Sequence, residues 1–294
     1  MSSPAFLQPS RHTQKRRRKD LVFKSLCLFA ACVAVAILAT LIYKVVVDGI
    51  GRVSLDFIKS NPSQAFPKKA GILSPLIGSV YIMLLTIAFV VPIGVAAAIY
   101  LEEFTLKKNR LVRFIQVNIS NLAGVPSIVF GMLGLSLFYT TMKLGKGILT
   151  GALTMSFLVL PMVILVTQEA LKSVPKSYRE AALALGSTQW QTIRKIVLPR
   201  ALPGILTGII LAASRAMGET APLIVVGAVG FVTFMPKTLD DRYTVLPLQI
   251  LDWIGQPRED FRIAAAAAIL VLMALLITLN SIAIFIRARH QSKV

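Results

Sequence analysis

"KSVPKSYREAALALGSTQWQTIRKIVLPR", residues 172–200, lies between two long apolar runs and is itself polar and helical in pattern. Ser173 can cap a helix that carries Pro175 in its first turn, where a missing N–H does no harm. Gly186 is placed to end that helix in a left-handed turn. Thr188 followed by Gln191 gives a second cap, and Pro199 closes the unit. The spacing predicts two short helices joined at Gly186, outside a membrane. Ala181, Ala182 and Leu185 fall near one face of the first helix. Small residues there make a low apolar surface, suited to a groove on another protein or to packing on the chain's own spans.

The sequence on either side reads as membrane-spanning. Apolar runs of about 18 or more residues mark transmembrane helices. The chain has 294 residues and is 55% hydrophobic, with a mean hydropathy of +0.73. Six runs are expected to span: Leu21–Val47, Leu73–Leu101, Phe114–Thr141, Gly147–Leu171, Ala201–Phe231 and Arg262–Ile286. The fold class is therefore all-α, a polytopic membrane protein with six transmembrane helices. Of the 32 Lys and Arg, twenty fall in the segments that would lie inside and eleven in those outside, with Arg215 left over. That bias puts both termini in the cytoplasm.

The expected organisation is a basic cytoplasmic tail (1–20), an anchor helix (21–47), an outer loop (48–72), a core (73–286) containing the 172–200 loop, and a second tail (287–294). "KRRRK" before the first run resembles a signal peptide's basic region, but the apolar part is too long and no small-residue cleavage site follows. It reads as an orientation signal with affinity for anionic lipid on a retained anchor. A second long outer loop, 232–261, contains "KTLDDRYTVLPLQILDW". Tyr243 and Trp253 there are expected as aromatic anchors at the lipid interface, and "VLPLQIL" as a short helix along the outer face. A role in binding a partner is the alternative for so exposed a loop.

A net charge of +19 would suit nucleic-acid binding, but the basic residues sit at the ends of apolar runs, as topology requires. Cys27 and Cys32 have no partner at metal spacing and read as small packing residues. His12 and His290 lie in the tails with no sign of being ligands or bases. No G-x-x-x-x-G-K-[ST] phosphate loop occurs, since Gly145-Lys146 is followed by Gly147, so ATP hydrolysis by that route belongs to another polypeptide.

Arg215 and Glu219 stand out inside the fifth run. A charge at that depth costs about 2.5–3.5 kcal/mol on insertion scales. The two residues are one helical turn apart, in the weaker order for self-pairing. Their face points either into a water-filled path or at another helix, as polar glue. An Arg offers a fixed fork of donors suited to an oxyanion; Ser214 and Thr220 add hydroxyls, and Pro222 can bend the helix. The translocation path is thus expected at Arg215, Glu219, Ser214 and Thr220. In the third run Gly124, Ser127, Gly131 and Gly134 recur at helical spacing with Pro126, a pattern for close helix packing or for lining a path.

"EAALALGSTQWQTIRKIVLP" resembles the EAA loop of bacterial ABC-importer permeases, with Glu180, Ala181, Ala182, Gly186, Ile196, Leu198 and Pro199 at matching positions. "ASRAMGETAPL", "GVPSIVFG", "VLPLQILDW" and "IYLEEF" are similar to segments of the phosphate-specific PstA family, covering about residues 70–290. The sister PstC family shares the R-x-x-G-E element but continues differently after Glu-Thr. The resemblance implies a type I ABC-importer permease fold. It implies that Glu180, Ala181, Ala182 and Gly186 couple to an ATPase, so that ATP is bound by partners and not by this chain. The implied partners are a PstC-like permease, two PstB-like ATPase subunits and an extracytoplasmic PstS-like phosphate-binding protein, in the bacterial inner membrane. Permeases for sulfate or molybdate, and an ion-coupled secondary carrier, are the alternatives. A membrane enzyme would need a nucleophile, base or metal cluster, and none is evident.

Overall fold

The computed structural model describes residues 11–105 and 110–291. The first ten residues of the expected basic tail, the last three of the C-terminal tail, and Lys107 and Lys108 of the inner charge count lie outside them. The order is α1 (Arg11–Gly49), α2 (Leu55–Lys59), α3 (Leu73–Ile99), α4 (Arg110–Leu122), α5 (Ser127–Gly134), α6 (Ile148–Lys172), α7 (Lys176–Ala184), α8 (Gln189–Thr192), α9 (Leu198–Gly218), α10 (Ala221–Val225), α11 (Leu246–Ile254) and α12 (Glu259–Gln291). No strand occurs among the described residues. Five helical stretches are long and apolar enough to cross a membrane, and a sixth span exists if α4 and α5 are counted as one. The end of the bundle carrying residues 172–200 is called the lower end below.

α3 and α6 form the central pair, with α9 and α5 against α6. Ile82, Val90, Phe130, Ile148, Met155 and Leu223 fill the space between them. Near the lower end Leu171, Val174, Val197 and Ile205 make a second packed layer. At the upper end Phe57, Ile72, Leu246, Trp253 and Phe261 pack on the alanines of α12. α1 stands apart: the side chains from Lys19 to Lys44 are exposed. It meets the bundle near Gly49, whose place any Cβ would occupy at 2.6 Å from the Ala266 backbone.

Two of the expected spans are interrupted. The third breaks after Leu122, and α4 and α5 meet at 108°. Pro126 pushes Val125 away from helical geometry, and Gly124 beside it adds backbone freedom at the break. The fifth run is not one helix to Phe231. α9 ends at Gly218, Glu219 is extended (φ −84°, ψ 129°), and the five-residue α10 follows. Pro222 cannot accommodate a carbonyl four residues back in a continuous helix, and that residue is Gly218.

In the upper loop the expected short helix exists as α11, which turns Leu246, Leu248, Gln249, Ile250 and Trp253 into the bundle and leaves Leu251 and Ile254 exposed. Tyr243 and Trp253 are both 0% exposed, so neither is an interfacial anchor. The chain reaches inward here because Gly78 on α3 leaves room for the Thr244 carbonyl, which would lie 2.1 Å from a Cβ at that position.

Candidate functional site

Arg215 sits three residues before the end of α9 and reaches a cleft of about 210 Å³ bordered by Leu122, Ala123 and Val125 of the third-span break and by Leu158, Met162 and Val166 of α6. Its Nε is 3.7 Å from Glu219 Oε1, with the two side chains 51% and 24% exposed. That separation is beyond hydrogen-bond range, so the guanidinium has no hydrogen-bond acceptor among the described residues and can offer its donors to another group. Glu219 reaches back because the helix has already ended: the pair is made across an unwound turn, not between successive turns of one helix as its spacing suggested. Glu219 also borders a water-sized cavity with Ser79 and Thr86 of α3.

The other expected path residues are placed differently. Ser214 faces α12, where its Oγ lies 2.7 Å from Asn280 Oδ1 and 2.9 Å from the Ile210 carbonyl. It ties two helices together and does not share the Arg215 cleft. Thr220 stands in the unwound turn, half-buried, and its carbonyl accepts from Ile224 N–H at 3.1 Å. Leu122, Ala123 and Val125, beside the Gly124 expected either to pack or to line a path, border this cleft. The "GVPS" break was their signal in the sequence.

The small residues of the third span divide. A Cβ on Gly131 would sit 2.8 Å from Pro222 Cα, and one on Gly134 2.2 Å from Thr154 Oγ1. α5 therefore rests directly on α10 and α6, and the two interrupted spans lean on each other beside Arg215. Gly124 and Ser127 flank the break together with Pro126, which precedes α5 at φ −55°. A Cβ on Gly124 would meet only its own turn, the Asn121 carbonyl at 3.5 Å, so it is not a close-packing position.

At the lower end, α7 terminates at Gly186, which adopts φ +82°, a conformation that costs an L side chain about 1–2 kcal/mol. Thr188 and Gln191 form a reciprocal capping box. Ser173 does not cap α7; its hydroxyl donates to the Ala170 carbonyl at 2.7 Å, and Pro175 precedes the helix without a side-chain cap. Pro199 does not close a separate helix either. The chain from Gln189 to Gly218 is one continuous helical stretch of 30 residues, with a π turn at Ile193–Val197; Pro199 falls in the first turn of α9, where its missing N–H is tolerated.

Ala182 is buried at 3% while Leu185 is 87% exposed. Glu180, Ala181 and Gly186 are exposed with Leu185. Ala181 and Ala182 thus face opposite ways, one outward and one into the bundle. Arg179, between them and the bundle, pairs with Glu103 at the end of the second span.

Ionisable groups with displaced pKa values lie in the upper loop, outside the spans. Thr238 and Lys237 N–H groups donate to Asp241 and hold its carboxyl below the usual value. Burial pushes Asp252 up. No cluster of three or more metal-ligating side chains occurs among the described residues.

A bundle of spanning helices with two interrupted spans beside a half-exposed arginine fits a membrane permease, the class its relatives define. The sequence profile of the binding-protein-dependent transport system inner membrane components matches residues 90–293. The probable ABC transporter permease protein YqgI of Bacillus subtilis is 37% identical over 67% of each chain. The phosphate transport system permease protein PstA of Xylella fastidiosa is 32% identical over 95% of this chain and 96% of its own length. A bacterial alginate ABC transporter in complex with its pentasaccharide-bound periplasmic protein shares the fold, with a TM-score of 0.67 at 14% identity over 92% of this chain and 94% of the other. The chain belongs to the family of binding-protein-dependent transport system inner-membrane components, PstA-type permeases among them.

Proposed function

We propose that this chain is the permease subunit of an ATP-driven importer that carries inorganic phosphate across the bacterial inner membrane. The carrying observation is Arg215: a guanidinium with unfilled donors, at the height of the middle of α6, in a cleft beside the third-span break. Relatives matched over nearly the whole chain are phosphate permeases by name.

Arg215 would receive the oxyanion through two charge-assisted hydrogen bonds. Glu219, close to the same guanidinium, competes for it and keeps the anion from being held too firmly to leave. Thr220 lies in the same turn. No bond of the substrate is made or broken, and ATP is hydrolysed on partner subunits. Glu180, Ala181, Ala182 and Gly186 form the unit that the ATPase grips, with Ala182 anchoring it to the bundle. Both termini lie in the cytoplasm. The complex contains a PstC-like permease, two PstB-like ATPases and a PstS-like phosphate-binding protein outside.

The test is uptake into proteoliposomes holding the whole complex, with ATP inside and the loaded binding protein outside. Labelled phosphate should accumulate, and excess sulfate or molybdate should not compete. ATP-dependent accumulation of sulfate or molybdate in its place assigns the other oxyanion.

A further inference from the structure

A charge held by several hydrogen bonds lies outside the transport cleft. Arg179, on α7, directs Nε to Glu103 Oε2 and Oε1 at 3.1 and 3.2 Å and Nη2 to the same carboxylate at 2.5 Å. Its Nη1 donates to the Val174 carbonyl at 2.8 Å and its Nη2 to the Leu171 carbonyl at 2.9 Å. The two side chains are 20% and 8% exposed. Glu103 belongs to the π turn Tyr100–Phe104 that ends the second span, and Leu171 belongs to the end of α6. The backbone carbonyl of Glu103 accepts from Gln189 Nε2 at 2.5 Å, and Phe104 lies against Trp190 with ring centroids 6.4 Å apart.

One guanidinium therefore joins α7, the foot of α3 and the foot of α6, and α8 is fastened to the same turn. A bidentate pair fixes orientation as well as distance. A flexible or solvated contact between the same elements would let α7 swing without moving α3. α3 and α6 are also the helices whose residues border the Arg215 cleft and the Glu219 cavity.

We infer that the Arg179–Glu103 pair is the rigid joint through which movement of α7 reaches the central α3–α6 pair, which makes Arg179 a positioning residue for transport. This rests on the reading of α7 as the part the ATPase grips. It predicts that ATP hydrolysis and transport separate when the joint is removed, because the grip surface of Glu180, Ala181 and Gly186 remains.

The experiment uses the complete complex in proteoliposomes and reads phosphate taken up per ATP hydrolysed. Glu103→Gln and the double variant Glu103→Gln/Arg179→Met are compared with the parent. Arg179→Met alone leaves a buried carboxylate unpaired and is expected to destabilise; the double variant removes both charges and separates folding from coupling. The double variant should assemble with its full complement of ATPase and keep its basal hydrolysis, while uptake per ATP falls by about tenfold, a typical coupling loss. Glu103→Gln should lose less than the double variant.

Uptake per ATP close to the parent's in the double variant overturns the inference, since the pair is then only a fold-stabilising contact. Loss of the ATPase from the double-variant complex also overturns it, because Arg179 then belongs to the grip surface itself. If the parent complex hydrolyses ATP in response to the binding protein but carries no phosphate, the substrate assignment fails instead. Loss of that stimulated hydrolysis in the double variant, with the basal rate kept, then supports the joint, and its retention overturns it.

Discussion

Replacing Arg215 by Ala separates a transport role from a structural one. The existing ion pair is long, at 3.7 Å, and its Arg is 51% exposed; pairs of that kind contribute about 0–1 kcal/mol once solvent screening is counted. The complex should therefore assemble normally, with little change in its thermal midpoint. Transport is another matter. An anion taking two charge-assisted hydrogen bonds from the guanidinium would gain about 1.5–3 kcal/mol from each, so about 3–6 kcal/mol disappears from the path. At about 1.4 kcal/mol per factor of ten, uptake should fall by about a hundredfold or more. Arg215→Lys keeps the charge but loses the planar fork and should fall between the two. The assay is initial-rate uptake of labelled phosphate, normalised to assembled complex. An Ala variant that assembles and imports at a rate close to the parent's would refute the reasoning, and Arg215 would then be helix glue.

Gly186→Trp should strain the left-handed turn by about 1–2 kcal/mol and crowd the exposed end of α7; ATPase co-purification is expected to drop, and unchanged recovery with full coupling would contradict the groove reading. The Tyr243 hydroxyl is buried with no hydrogen-bond partner among the described residues, so Tyr243→Phe should leave thermal stability unchanged or raise it by about 1 kcal/mol. Because the folded carboxyl of Asp241 titrates below its ordinary value of 3.8, its contribution is present above that value and lost as pH falls through the lower, folded one. Hydrogen exchange at the Lys237 and Thr238 amides, corrected for intrinsic rates, should lose protection in that acid range, and Asp241→Ala, which removes the acceptor, should lose it already at neutral pH.

Hydropathy located the spanning segments because the bundle has to bury or face lipid along its whole length. It missed both interruptions because a window average does not register a break of a few residues. Proline alone would not have found them: Pro92, Pro161 and Pro203 all sit within intact helices. The two that mark breaks, Pro126 and Pro222, each follow a glycine by two or four residues, which lets the backbone leave helical geometry where the ring forbids continuation. Arg215 was visible, with Glu219, as a charge in an apolar run, but its cleft was not, since part of that cleft comes from the third-span break. Ser214 was misplaced for a related reason. Sequence adjacency to Arg215 says nothing of Asn280, 66 positions away, whose side chain claims the hydroxyl. Tyr243 and Trp253 were assigned to lipid on residue type alone, whereas both are turned into the bundle, Trp253 as part of α11.

The near-detachment of α1 has a practical side. Both cysteines of the chain, Cys27 and Cys32, are free and exposed on it. A spin label or fluorophore on either thiol would report from the exposed side of α1, away from the Arg215 cleft. Substituting both by Ser or Ala should leave a silent background, on which a single reporter thiol at Leu185 or near Val125 could follow the machine itself.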